Sequence, residues 1–207
     1  SSVSYSFVIT NTGNADEAFG YTTSSANDWG LGGGAGDTAS LAMGASETIT
    51  VVHTVSESAS SGDSDTITFD VAGGFPDGAS RTATTTSEQT YGVSITLDES
   101  NQPSTLNPGD SFTRSYTVTN NGNGADSFSV FFDAAWMSGS SGTSLSLEEG
   151  GIGTSTLTIT VPDDAVSGSS STASASVAGG GGETAAYGPQ PIAVAEETRS
   201  AEVSTDS

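Results

Sequence analysis

Stretches in which apolar residues alternate with Ser or Thr recur along the whole sequence. The clearest runs are residues 3–9, 48–51, 66–71, 93–97 and 156–161. A period of two places successive side chains on opposite faces of a β-strand, so each run predicts a strand with one buried face. Gly, Asn, Asp and Pro separate the runs, as is typical of turns. Because no stretch carries a helical stripe, the sequence predicts an all-β fold.

The second half of the sequence repeats the first, and over residues 3–19 the two copies match at one constant offset. The matched pairs are Phe7 with Tyr116, Ile9 with Val118, Asn11 with Asn120, and Phe19 with Phe128. A tryptophan follows in each copy, at Trp29 and Trp136. The repeat predicts a first domain over residues 1–88, a second over residues 89–186, and a C-terminal tail over residues 187–207.

Four sequence elements of the second copy resemble a known family. They are residues 107–110 (NPGD), residues 120–123 (NNGN), Trp136, and residues 161–168 (VPDDAVSG). In these elements the chain resembles the NEW3/CARDB-like immunoglobulin-like modules of secreted microbial surface proteins. The resemblance extends over nearly the whole chain as two copies, and it implies two β-sandwiches of about seven strands each. It does not select a function, because one fold hosts many functions.

The charge distribution excludes several classes of partner. The chain carries 25 acidic residues against three basic ones, Arg81, Arg114 and Arg199, and its formal net charge is −22. Nucleic-acid binding requires clustered Lys and Arg, so we expect no nucleic-acid partner. No apolar run is long enough to span a membrane. An acidic chain without Lys and with many small polar residues favours a secreted, extracellular protein, and its many Ser and Thr hydroxyls offer acceptors for O-linked glycans.

The two copies differ at their beginnings. The second copy opens with an apolar run at residues 91–99, before the NPGD turn, whereas Ser1 already aligns with Asp110. The first domain is therefore predicted to lack its first strand and to expose an apolar groove and an unpaired edge. The residues predicted to form this acceptor groove are Val3, Tyr5, Phe7 and Ile9.

The tail contains a second apolar stretch that resembles a first strand without a following domain. The predicted donor strand consists of Pro191, Ile192, Ala193, Val194 and Ala195, with Val203 as a further anchor. Insertion of this strand into the first domain of another copy would be β-strand addition. Such a head-to-tail contact builds open filaments unless it closes a ring. The sequence thus predicts a homopolymeric extracellular filament subunit.

Three alternatives stay open at this stage. The chain could consist of two modules of a long adhesin or surface-layer array, in which case the tail is unimportant. The tail could instead fold back into the first domain of its own chain. The third alternative is an accessory carbohydrate-binding module, which would use an exposed Trp29 or Trp136, although their repeated position favours packing between the sheets.

The sequence contains no convincing catalytic constellation. His53 is the only histidine and lies in a strand pattern, so we expect a partly exposed strand residue. With no Cys and no Lys, no nucleophile has an evident base within reach. The acidic pairs, such as Asp163 with Asp164, lie at turns and predict a solvated rim. We therefore predict no enzymatic activity, no catalytic residues and no cofactor, with Ca²⁺ as the alternative, since oxygen ligands suit that ion.

Overall fold

A computed structural model describes residues 1–72, 78–100, 102–103 and 105–196 of the chain. Within these ranges all regular elements are strands, which confirms the all-β prediction, and no helix long and apolar enough to cross a membrane occurs among them. In chain order the strands are β1 (Ser2–Thr10), β2 (Gly20–Ser25), β3 (Gly30–Gly32), β4 (Ala35–Asp37), β5 (Ser46–Thr54), β6 (Ser64–Ala72), β7 (Ala79–Thr86), β8 (Val93–Leu97), β9 (Ser111–Asn120), β10 (Asp126–Ala134), β11 (Met137–Ser138), β12 (Gly142–Leu147), β13 (Ile152–Thr160), β14 (Ser170–Gly179) and β15 (Thr184–Ala193).

The strands divide between two compact units, Ser1–Gln89 and Thr90–Ser207. The boundary lies one residue from the one that the repeat predicts. The described part of the predicted tail, residues 187–196, belongs to the second unit, where residues up to Ala193 form β15.

The first unit is a sandwich of two antiparallel sheets, with strand orders β1-β5-β3 and β4-β2-β6-β7. Inward-facing residues of both sheets form its core, among them Ile9, Val51 and Ile67. Phe7 stacks on Phe69 across the two sheets, with ring centroids 4.4 Å apart. Each fully buried aliphatic or aromatic side chain contributes about 1.5–3 kcal/mol, so this apolar layer holds the two sheets together.

The second unit has the same architecture, with strand orders β11-β13-β9-β8 and β12-β10-β14-β15. Tyr116, Phe128, Leu157 and Ile159 are fully buried between its sheets. In both units the alternating pattern of the sequence turns Ser and Thr outward and apolar residues inward, which is the arrangement of an immunoglobulin-like β-sandwich.

One buried asparagine organises the same corner in each unit. The Asn11 side-chain amide donates to the carbonyl oxygens of Ala15 and Leu41, and its Oδ1 accepts from the Gly13 amide at 2.9 Å. Asn120 makes the corresponding bonds to its own neighbours, including one from the Gly122 amide at 2.9 Å. Since both asparagines are only 1% exposed, their bonds fix equivalent backbone geometry, and residues at the constant offset can be compared directly.

Candidate strand-acceptor site

In the second unit, strand β9 lies between two neighbours. It pairs antiparallel with β13 on one side and with β8 on the other. The β8 register places Val93 opposite Asn120, Ile95 opposite Val118, and Leu97 opposite Tyr116. Ile95 is 7% exposed and belongs to the core, so β8 both completes the sheet and closes one side of the sandwich.

In the first unit, the equivalent strand β1 has one neighbour. It pairs with β5 along its whole length, and among the described residues no strand pairs with its other edge. The Asn11 amide donates toward β5, to the Ala45 carbonyl at 2.9 Å. Because backbone groups alternate in direction along a strand, the amides and carbonyls of Ser6, Val8 and Thr10 point away from β5. This row is a template for a further strand.

A groove of about 260 Å³ opens beside this edge, between β1 and β7. Its apolar lining includes Phe7, Ile9, Phe19 and Phe69, and Arg81 stands among its polar residues. In the second unit the corresponding space is occupied by β8, which contacts both β9 and β15. The sequence-based prediction that the first unit lacks a first strand agrees with this groove and with the sheet order.

Of the four predicted acceptor residues, only Phe7 and Ile9 line the groove. Both are apolar lining residues of its β1 side. Tyr5 lies nearer the start of β1, where its hydroxyl donates to the Thr84 carbonyl oxygen at 2.9 Å. Val3 is 40% exposed and does not line the groove. The groove therefore follows the C-terminal half of β1, from Phe7 to Thr10, and not the whole strand.

The predicted donor residues lie in the sandwich of their own unit. Strand β15 pairs with β14, and Ile192 and Val194 are 3% and 4% exposed in the second core. The Val194 amide donates to the Ser169 carbonyl at 2.9 Å, and the Ala195 amide donates to the Leu106 carbonyl at 2.8 Å. Ala193 faces outward and Pro191 is exposed. Val203 lies outside the described residues.

A bulge in β15 explains why Ile192 and Val194 face this core. The register shifts between Ala173, opposite Gln190, and Ala175, opposite Tyr187, which leaves Gly188 and Pro189 facing a single residue of β14. The extra residue reverses the inward parity. Before the bulge the odd-numbered Tyr187 points inward, and after it the even-numbered Ile192 and Val194 do. Pro189 has no amide hydrogen to lose, so it fits this position.

Strand β15 is the counterpart of β7 in the first unit. The matching segments 71–74 and 177–180 (VAGG) align Asp65 of β6 with Ser171 of β14. Thr85 lies opposite Asp65 in the β6·β7 pair, and Ile192 lies opposite Ser171 in the β14·β15 pair.

The two strands are also held in the same way. Tyr5 donates to the Thr84 carbonyl, and the equivalent Arg114 donates to the carbonyl oxygens of Gln190 and Pro191 at 3.3 and 3.0 Å. Residues up to Ala195 thus complete the last strand of the second sandwich, and donation in trans would first require their release.

His53 is fully buried, contrary to the expectation of a partly exposed residue. It shares inward parity with Ile49 and Val51, and this was the signal that sequence analysis missed. Its Nε2 lies 2.9 Å from an Asp65 carboxylate oxygen, and its Nδ1 lies 2.7 Å from the Thr85 hydroxyl. The order Asp–His–hydroxyl resembles that of a catalytic triad. The three side chains are at most 6% exposed, so the network lies inside the first core.

Hydrogen bonds keep the Asp65 carboxylate ionised inside the first unit. Burial alone would raise the pKa of Asp65. Hydrogen bonds from the Ser25 hydroxyl, the Asn27 amide, His53 and the Thr66 amide outweigh this effect and lower the pKa to about 2. Hydrogen bonds to the charged form produce such a shift. Trp29, 7% exposed, packs 5.6 Å from the His53 ring and encloses the network, so it is buried as expected.

A pair of acids lies in the second unit, where the hairpin between β14 and β15, which contains Glu183, meets Asp126 at the start of β10. Burial and the neighbouring Asp126 raise the pKa of Glu183. Burial also raises the pKa of Asp126, but Glu183 and the amides of Ser127, Gly180 and Gly181 hold it below its usual value. The proximity of the two carboxyl groups thus moves their pKa values in opposite directions. Among the described residues no three acids or histidines form a metal-binding group.

Comparisons with known proteins identify the fold and nothing finer. The model of the VWA7 Ig-like domain family matches residues 95–188, the greater part of the second unit. This match supports the immunoglobulin-like expectation without confirming the NEW3/CARDB-like group. No protein of curated function matches the sequence.

Two solved structures align with nearly the whole chain. The crystal structure of red sea bream transglutaminase aligns with 95% of this chain at 12% identity and a TM-score of 0.32, and the chain spans 29% of its length. The complex of the chaperone CsuC with the tip adhesion subunit CsuE, from the archaic chaperone-usher Csu pili of Acinetobacter baumannii, aligns with 94% of this chain and 92% of its own at 11% identity and a TM-score of 0.26. Scores this low carry no functional argument.

Proposed function

We propose that this chain is a non-enzymatic structural subunit of an extracellular surface assembly, such as a filament, in which a β-strand from another polypeptide completes the first unit. The single observation that carries the proposal is the difference between the two copies. β9 pairs with β8, whereas in the part of the chain that the structure describes the equivalent β1 has an unpaired edge beside a groove lined by Phe7 and Ile9.

The energetics favour occupation of this edge. An added strand would pair with the outward amides and carbonyls of Ser6, Val8 and Thr10, and alternate side chains would enter the groove. Strand β8 of the second unit shows how deeply such a side chain is buried, since its Ile95 is only 7% exposed. Burial of one such side chain contributes about 1.5–3 kcal/mol, so several anchors and a ladder of hydrogen bonds make a durable joint.

The remaining features fit a structural role. The one histidine is enclosed within the first core, and the hydroxyl-rich outer faces carry almost no positive charge. An acidic surface of this kind keeps a protein soluble in a salty exterior, because salt screens its self-repulsion. A structural subunit needs a rigid sandwich and a specific site of attachment to its neighbour, and the open edge of β1 would provide that site.

The test uses the full chain and a peptide of residues 90–100, which contains the β8 sequence. Amide hydrogen exchange is followed residue by residue by nuclear magnetic resonance. The free chain is expected to exchange the Ser6, Val8 and Thr10 amides quickly, and the peptide is expected to slow all three. The Phe7 and Ile9 amides, which face β5, serve as internal references and should stay protected throughout.

A matched peptide with Ile95→Asp provides the control, because it places a charge where the native residue faces the core. It should give no protection of the outward amides. If the native peptide at saturating concentration also leaves these amides unprotected, the strand-addition proposal is refuted. If the chain alone protects them as its concentration rises, the donor strand comes from a second copy and the assembly is a homopolymer.

A tandem array within one surface protein is the second candidate, and one observation favours it. In the second unit β8 and β9 belong to the same chain and are joined through the NPGD turn, so completion within a polypeptide is already present in this fold. In such an array the first unit would receive its strand from a neighbouring segment of its own polypeptide. The exchange experiment applies equally, and the chain alone would then show no concentration dependence.

A further inference from the structure

The groove of the first unit contains a positive charge in an otherwise acidic environment. Arg81 is the one Lys or Arg of residues 1–89, and it lines the groove beside β1. Within the described part of the chain its guanidinium donates to the Ser80 carbonyl at 2.9 Å and takes part in no ion pair. In a chain with a net charge of −22, the place of this cation is informative.

The equivalent position in the second unit shows what such a residue contacts. Arg81 lies opposite Phe69 in the β6·β7 pair, and Tyr187 lies opposite Ala175 in the β14·β15 pair. These positions correspond, because Ala79 and Ala185 two residues earlier also lie opposite matching valines. The Tyr187 hydroxyl donates to Glu99 Oε1 at 2.9 Å, and this bond joins the last strand to the segment that follows β8.

We infer that Arg81 recognises a carboxylate on the incoming strand, two residues beyond its last apolar anchor. This inference rests on the proposed strand addition and specifies its partner. In the second unit Leu97 is the last anchor of β8, and Glu99 follows it by two positions. A donor in the same register in the first unit brings its acid to Arg81, where a guanidinium can bind it through two hydrogen bonds.

The register also defines the rest of the donor. The β8 pairing, transferred by the constant offset, places apolar donor residues opposite Asn11, Ile9 and Phe7, antiparallel to β1. The partner is therefore an extended segment with three apolar residues at alternate positions and an acid two places after the third. Residues 93–99 of this chain have that pattern, so the chain supplies its own probe.

The experiment is a double-mutant cycle between the full chain and the peptide of residues 90–100. Affinities are measured by calorimetry for the native chain and for Arg81→Gln, each with the native peptide and with its Glu99→Gln form. Arg81→Gln should weaken the native peptide about two- to fivefold, as measured for partly exposed ion pairs, and should leave the affinity for the Glu99→Gln peptide unchanged. Added salt should reduce the difference in affinity for the native peptide between the native chain and Arg81→Gln.

The outcomes separate this inference from the proposal on which it rests. If the native peptide protects the Ser6, Val8 and Thr10 amides but Arg81→Gln weakens both peptides equally, strand addition holds and recognition of the carboxylate by Arg81 is refuted. If no peptide binds and no outward amide is protected, both fail together. Arg81→Lys keeps the charge without the planar fork, and a partial recovery of affinity would support charge recognition.

Discussion

The substitution Ile192→Ala distinguishes a last strand from a free donor strand. Ile192 is 3% exposed and packs in the second core. The change removes three buried carbon groups worth about 0.8 kcal/mol each, roughly 2.5 kcal/mol in all. The cavity left behind adds to this cost, so the free energy of unfolding of the second unit should fall by about 3 kcal/mol, within the usual range of about 2–5 kcal/mol.

Urea unfolding followed by tryptophan fluorescence measures this loss. Trp136 packs against the second core and Trp29 lies in the first unit, so a Trp29→Phe background isolates the signal of the second unit. With a urea dependence of about 1–3 kcal/mol per molar, a loss of about 3 kcal/mol lowers the midpoint by about 1–3 M.

Val166→Ala is the matched control. Val166 lies in the same unit but is 70% exposed, and its loss should change stability by less than about 0.5 kcal/mol. A midpoint for Ile192→Ala that equals the control midpoint would contradict the placement of residues 187–195 in the second sandwich. The tail would then be free in the monomer, and donation in trans would gain support.

Three further substitutions test the polar contacts of the two units. Arg114→Gln should destabilise the second unit by about 1.5–3 kcal/mol and speed exchange of the Val194 amide, because its bonds to the Gln190 and Pro191 carbonyls are lost. The low pKa of Asp65, about 2 against 3.8, contributes stability that is present above about pH 4 and lost as pH falls through 2, so Asp65→Asn should flatten acid unfolding of the first unit. The raised pKa of Glu183 means that its ionisation costs stability as pH rises, so Glu183→Gln should raise the melting temperature at pH 7 but not at pH 4.

The alternation of apolar and hydroxyl residues was sufficient to predict the strands and their buried faces, whereas the sandwich architecture was implied by the family resemblance. Each run has one buried face, and a shift of one residue would expose a whole row of apolar side chains, so the sequence determines both strand and face. The repeat was equally informative, since Asn11 and Asn120 occupy equivalent corners and β1 lacks the partner that β9 has. Buried polar residues were harder to predict, because His53 follows the inward parity of Val51 but belongs to a type that is usually exposed.

The last strand was misread because it breaks the period of two. Gly188 and Pro189 form a bulge, after which inward-facing residues change from odd to even numbers, and the run after the bulge looked like a separate strand. A sequence pattern cannot distinguish a bulge from a boundary, since Gly and Pro mark both.

The register of β15 against β14 resolves this ambiguity, because Ile192 takes the place of Thr85 and Pro191 the place of Thr84. The apparent surplus strand at the end of the chain therefore has a partner in its own sheet. Among the described residues the outer edge of β1 remains without a partner, and we infer strand addition from that edge alone. The donor must then be identified by chemistry that fits the groove, namely alternating apolar anchors and an acid for Arg81, rather than by its position at the end of this sequence.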